Sequence, residues 1–235
     1  IENLQVSLKG PANFVSLADR RAEQMLYDDL TKARPGYGFR GEEGGTREGT
    51  DKANTWIVDP LDGTTNFLHG LPHWAISIAL EQAGGIVAGV VFDPLKDELF
   101  WAERGHGAYV NSRQLRISRK EDLTESLFAT GMPFKGRGDQ DTTMAEIEKV
   151  AFASAGVRRF GSAALDLAYV AAGRYDGYWE RGLAAWDIAA GALIANEAGG
   201  RVTDLNGGEK IVSDRSIIVA GPMIYDQFFN LVTKA

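Results

Sequence analysis

Apolar residues Leu17, Ala18, Ala22, Met25, Leu26 and Leu30 recur at helical spacing behind Ser16, a residue suited to an N-cap, and predict an amphipathic helix over residues 16–33. The stretch that follows, 34–54, is rich in glycine, charge and turn formers and predicts a loop. It closes at the apolar run Trp56, Ile57, Val58, which predicts a buried strand halting at Asp59. Short apolar or alternating runs then occupy 75–80, 86–92, 98–102 and 108–110. Gly84-Gly85, Pro94 and residues 105–107 separate them, the pattern of an antiparallel meander. In the second half, helical patterns over 162–172, 186–198 and 225–232 alternate with strand-like runs at 175–179, 201–203 and 216–219. Gly199-Gly200 ends the second of these helices as a C-terminal stop. No internal repeat or low-complexity tract interrupts the series. The expectation is layered helices and sheets in one compact unit, with an antiparallel half (1–118) and a mixed half (119–235).

Composition narrows the function. The 235 residues are 44% hydrophobic and 24% charged, enough to bury a sizeable core and far from a disordered chain. A net charge of -7 gives no attraction to nucleic acid or anionic membrane, so direct nucleic-acid binding is not expected. Cysteine is absent, which excludes disulfides, thiolate zinc sites and a cysteine nucleophile; any metal must use oxygen or imidazole ligands. That absence suits a reducing cytosol, and a cytoplasmic location is expected. No apolar stretch is long enough to span a bilayer and no charged-then-apolar leader opens the chain. The start at Ile1 rather than Met leaves room for a processed or trimmed N-terminus.

Candidate chemistry concentrates in Asp59-Pro60-Leu61-Asp62-Gly63-Thr64-Thr65. A strand delivers Asp59, Pro60 fixes a turn, and Asp62 follows three residues later, so both carboxylates can converge on one small volume. Hard divalent cations need such oxygen clusters, and magnesium prefers carboxylates with water and substrate phosphate to a full protein cage. Gly63, Thr64 and Thr65 offer backbone N–H groups to a phosphate, above all if a short helix begins there. Asp-Pro or Asp-Gly alone is an ordinary turn former; the whole heptapeptide behind an apolar strand is far more specific. Gly41-Glu42-Glu43-Gly44 adds paired carboxylates in a glycine-rich loop. Asp187, at the start of a predicted helix, is either a cation ligand or an acidic residue favoured by the helix dipole.

The run from Asp59 to Phe67 and the segment 186–200 together resemble the two signatures of the inositol monophosphatase family, within the wider group of lithium-sensitive, metal-dependent phosphatases. The resemblance runs from about Lys9 to near the C-terminus. A helix that family members carry before Lys9 is missing, as though the chain were shortened. The resemblance implies an α+β fold, a layered αβαβα sandwich of the inositol monophosphatase and fructose-1,6-bisphosphatase type, and a homodimer. It also implies two or three Mg2+ ions per active site, one held by Glu42, Asp59 and the Leu61 carbonyl, a second by Asp59, Asp62 and Asp187. Glu42 and Thr64 would orient the attacking water, and Gly63, Thr64 and Thr65 would meet the phosphate. Glu42 matches better than Glu43 because it directly follows Gly41. Gly161, Ser162, Ala163 and Glu180 resemble the wall of a polyol pocket, with Asp62 and Asp187 also facing substrate. Lys9 and Asp19 match a further segment near the metals.

The implied reaction is magnesium-dependent hydrolysis of a phosphate monoester, inositol monophosphate first, by metal-activated water without a phosphoenzyme. Fructose 1,6-bisphosphate, histidinol phosphate and a 3′-phosphonucleotide are alternative substrates, and a phosphoaspartate on Asp59 or Asp62 is the competing mechanism. A regulatory role with RNA-processing or transcription machinery is the second class, since bacterial relatives can act there. His69 and His73 have the i,i+4 spacing of a zinc pair, but Gly70-Leu71-Pro72 between them opposes a continuous helix. Arg158-Arg159 is either an anion site or solvated surface.

Overall fold

The computed structural model describes residues 6–10, 13–133, 138–209 and 211–234. The chain opens with a hairpin, β1 (Val6–Gly10) and β2 (Asn13–Ser16), followed by α1 (Leu17–Ala33), β3 (Tyr37–Gly41), β4 (Gly45–Arg47) and the long β5 (Asp51–Asp62). After the short α2 (Thr64–Leu68) comes the expected meander, β6 (Ala75–Gln82), β7 (Gly85–Asp93), β8 (Glu98–Glu103) and β9 (Ala108–Val110), extended by β10 (Arg113–Gln114), which the sequence pattern did not announce. The rest runs β11 (Leu127–Thr130), α3 (Gln140–Ala153), β12 (Gly156–Arg158), α4 (Ala163–Ala171) and β13 (Gly177–Arg181). It ends with α5 (Ala185–Glu197), β14 (Arg201–Thr203), α6 (Ile211–Asp214), β15 (Ser216–Ala220) and α7 (Tyr225–Thr233).

One sheet has eight strands in the order β10-β9-β8-β7-β6-β5-β3-β4, antiparallel except where β3 runs parallel to β5. A second has five, β12-β11-β13-β15-β14, with β11 parallel to both its neighbours and the remaining pairs antiparallel. Helix α1 lies on the large sheet at β3 and β5, α4 and α5 fill the space between the sheets, and α3 and α7 pair on the small sheet at β12 and β15. This is the αβαβα sandwich that the resemblance implies. Sequence explains the middle layer: α5 is apolar on all sides and buried from Ile188 to Ala195, as a helix between two sheets must be. Its small residues set the spacing. A Cβ on Gly191 would come within 2.6 Å of the Leu167 side chain, and one on Gly89 within 2.9 Å of the Ala190 Cα, so either would push layers apart.

Three sequence expectations change. The stretch predicted as a loop contains β3 and β4, because the parallel ladder with β5, Phe39 opposite Trp56 and Gly41 opposite Val58, orders a glycine-rich segment that local propensity would leave irregular. Helix α1 is present, yet its most buried side chains are the acids Asp19 and Glu23, while Met25 is 67% exposed. Strand β5 does not halt at Asp59 but continues to Asp62 through a bulge: Asp59 pairs with Ser77 and Asp62 with Ala75, leaving two residues opposite one. Pro60 sits in that bulge, where its missing N–H does no harm.

Candidate active site

In a regular strand, residues three apart point to opposite faces. The extra residue in the β5 bulge cancels that, so Asp59 and Asp62 reach the same cleft. Each carboxylate is held by a local donor. The Leu61 N–H donates to Asp59 Oδ1 at 2.9 Å, and the Ser162 hydroxyl and Ala164 N–H donate to Asp62 Oδ2 at 2.6 and 2.7 Å. Gly63 then takes a left-handed φ of 95° to start α2, and a side chain there would be strained as well as 3.1 Å from the His73 carbonyl. The turn brings the Thr64 hydroxyl within 3.1 Å of Asp19 Oδ1 and 3.2 Å of the Leu61 carbonyl, two acceptors sharing one proton.

Glu42 enters from the β3–β4 turn. Glu23 on α1 anchors that turn by accepting from the Glu43 N–H at 2.7 Å and the Gly44 N–H at 2.6 Å. Gly41 must be glycine for this, since a Cβ would run into the Glu23 carboxylate. Asp187 stands in the first turn of α5, where its Oδ2 accepts from the Ala184 N–H at 2.6 Å. On the far side, the Tyr178 hydroxyl donates to Glu180, and Gly131 leaves the room that the Glu180 carboxylate fills.

These groups surround one cleft of about 880 Å³, though not all of them reach its surface. Glu42, Asp59, Leu61, Asp62 and Asp187 are on its wall, as are Gly63, Thr64 and Thr65 and, opposite, Gly161, Ser162, Ala163 and Glu180. Every site residue expected from sequence therefore borders the same space, except that the Lys9 side chain lies outside the described residues and Asp19 stands behind Thr64. Sequence reading missed Glu23, Gly131 and Asp166. Glu23 carried a signal, an acid four residues after Asp19 on the inward face of α1; Gly131 and Asp166 carried none. Arg159 also borders the cleft. His69 lies beyond the end of α2, and His73 packs its ring 5.1 Å from Phe160, with burial and then Lys96 lowering its pKa to about 4.

Burial among other acids raises the cost of charging Asp59, Asp62 and Asp187. Burial, then Glu42, Asp62 and Asp187, pushes Asp59 well above the usual carboxylate range. Burial, then Asp62, does the same to Asp187 against the pull of the Ala184 N–H. Asp62 rises to about 6, burial outweighing its hydrogen bonds to Ser162 and Ala164. Such a cluster favours a cation or protons over bare charge. Among the described residues, no three Asp, Glu or His side chains close into a ready-made cage. The oxygen-only donors instead surround an open region beside the α2 N-terminus.

The profile of the inositol monophosphatase family matches residues 2–234. An inositol-1-monophosphatase of Rhizobium meliloti is 58% identical over 93% of this chain and 82% of its own length, and one of Caulobacter vibrioides is 50% identical over 100% and 93%. The Nus factor SuhB of Escherichia coli K12 is 45% identical over 94% of this chain and 83% of its own. The crystal structure of extragenic suppressor protein suhB from Bartonella henselae superposes with a TM-score of 0.96 at 52% identity, covering 100% of this chain and 90% of that one. With a carboxylate-lined cleft between the layers of this sandwich and a family match over nearly its whole length, the chain belongs to the inositol monophosphatase family.

Proposed function

We propose that the protein hydrolyses the phosphate monoester of a small polyol, inositol monophosphate first, by direct attack of water in a magnesium-loaded cleft. The observation that carries this reading is the meeting of Glu42, Asp59, Asp62 and Asp187, from three separate parts of the chain, beside the Thr64–Asp19 pair in one cleft. The donor set suits magnesium in kind, since every ligand it offers is an oxygen. Glu42, Asp59, the Leu61 carbonyl, Asp62 and Asp187 would hold two or three Mg2+ ions. When bound, these supply charge neutralisation at the phosphate and a lower pKa for the attacking water.

The remaining chemistry belongs to the chain. Thr64 commits its proton to Asp19 or the Leu61 carbonyl, so its oxygen lone pairs can accept from the water and, with Glu42, aim it at phosphorus. Gly63, Thr64 and Thr65 present N–H groups to the phosphate oxygens at the start of α2. Glu180, Gly161, Ser162 and Ala163 would contact the polyol. Asp59 and Asp62 are occupied as ligands in this scheme, which disfavours a phosphoaspartate.

Phosphate release with magnesium from inositol monophosphate, fructose 1,6-bisphosphate, histidinol phosphate and a 3′-phosphonucleotide tests the reading. Turnover is expected for inositol monophosphate, with inversion at phosphorus; release from none of the four, or net retention, overturns it. Relatives named Nus factor SuhB favour a second role through a protein partner. Capture of transcription components by both the native chain and Asp187→Asn would separate that role from turnover.

A further inference from the structure

The loop that joins β13 to α5 is Gly182-Leu183-Ala184, and all three residues border the cleft. Ala184 precedes the first residue of α5, and its N–H donates to Asp187 Oδ2 at 2.6 Å. Among the described residues this is the one hydrogen bond to that carboxylate, so the aim of Asp187 depends on where the Ala184 N–H points. That N–H shares a peptide plane with the Leu183 carbonyl, and a trans peptide directs the two oppositely. The carbonyl is in turn held by Arg215, whose Nε donates to it at 3.1 Å while Nη2 donates to the Gly182 carbonyl at 3.3 Å. Backbone makes the same junction: the Leu183 N–H donates to the Arg215 carbonyl at 3.0 Å, next to the last β13–β15 pair, Arg181 with Ser216. Arg215 is exposed, borders the cleft and has a left-handed φ of 60°. Glycine takes that backbone shape more readily, so the turn itself gives no reason for an arginine.

We propose that Arg215 is a positioning residue for Asp187: by holding the Leu183 carbonyl it fixes the plane of the 183–184 peptide and aims the Ala184 N–H at the carboxylate. The inference rests on the proposed role of Asp187 as a magnesium ligand. A guanidinium on the carbonyl also polarises the peptide and makes its N–H a stronger donor to a charged carboxylate. Without that hold the peptide can turn over and set the carbonyl oxygen against Asp187, acceptor facing acceptor. Partners that orient a metal ligand in this way are worth roughly ten- to a hundredfold in metal affinity.

The test is calorimetric titration of magnesium into the native chain, Arg215→Gly and Asp187→Asn, with metal-free melting temperatures and the Ala184 amide signal in nitrogen-15 spectra alongside. Arg215→Gly removes the guanidinium, suits the left-handed backbone and keeps the Leu183 N–H bond, so its metal-free melting temperature is expected within about 3 °C of native. Its Kd for magnesium should rise about tenfold. The Ala184 amide proton, deshielded in the native chain by its short bond to the carboxylate, should move upfield in the metal-free variant. An unchanged Kd or an unchanged amide proton in Arg215→Gly overturns the inference about Arg215. A melting temperature lowered by more than about 6 °C does so too, since Arg215 would then be a general brace. If Arg215→Gly does not fold, Arg215→Asn, which also tolerates a left-handed φ, decides by the same readouts. A native Kd in Asp187→Asn overturns the ligand role of Asp187, and this inference with it.

Discussion

At the scale of single residues, charge removed from the acid cluster should act on turnover and not on folding. Asp59→Asn keeps the shape of the side chain and its bond from the Leu61 N–H while removing a charge whose burial is unfavourable. It is expected to lose at least a hundredfold in phosphate release at subsaturating magnesium and to melt no lower than the native chain; native-like turnover would refute the ligand role. Glu23 works at one remove. Its replacement by alanine strands the Glu43 and Gly44 N–H groups, at a cost of about 1–3 kcal/mol, and frees the turn that presents Glu42. Stability in urea should drop by that amount and the magnesium requirement should rise severalfold; a stability loss with unchanged magnesium dependence would make Glu23 purely structural. These acids also mark a limit of sequence reading. Periodicity identifies inward positions by their apolarity, so α1 was legible as a helix, but of its deepest side chains Asp19 was singled out only through the family resemblance and Glu23 not at all.

At the scale of elements, the bulge in β5 is what allows an Asp-x-x-Asp sequence to function on a strand. Inserting one residue after Ile76 in β6 would give Pro60 and Leu61 a partner each, and should restore a regular ladder, turn Asp62 to the opposite face and abolish hydrolysis. The far-ultraviolet spectrum should change little, since β5 keeps its pairing from Asn54 to Asp59. Activity above a tenth of native would show that the bulge does not aim Asp62. The meander β6–β9 was legible because its runs are clean and its turns carry glycine or proline; the two-residue β10 leaves no such run. Strands β3 and β4 were not, since their order comes from pairing with β5 across a glycine-rich sequence. Helix α3 was missed for a different reason: Met144 and Phe152 face solvent, blurring its apolar stripe, and its fastening is polar, by Arg181 and Trp179 onto Glu146. The acids that line the cleft were legible as motifs; that the Asp59–Asp62 spacing is met by a bulge was not.

At the scale of the whole molecule, the cleft should couple stability to pH and, under the proposed function, to magnesium. Asp62 titrates near 3.8 when unfolded and about 6 when folded, and Glu180 near 4.5 and about 7. The folded state therefore binds protons more tightly, and without metal its stability is highest below the lower values and is lost as pH rises through about 6 to 7. Under the proposed function, magnesium would take the place of the Asp62 proton, so its stabilising effect should grow across the same window. At a hundredfold excess over Kd the gain is about 2.7 kcal/mol, roughly 5–10 °C in Tm for a chain of this size at pH 8, and much less at pH 5. Melting curves with magnesium or with a chelator, across that range, check both slopes; equal gains at both ends would refute the coupling.

Asp59, on the large sheet, and Asp187, at the start of the helix between the sheets, are far apart in the chain yet meet in the cleft. Contacts of that separation form only after most of the intervening chain has been organised. The proposed cation site should therefore be absent from the folding transition state, and magnesium bound there should act as a latch on the finished protein. In stopped-flow experiments it is expected to slow unfolding in proportion to the stability it adds while leaving the folding rate within about twofold. A folding rate that rises with magnesium would mean that the site is assembled early.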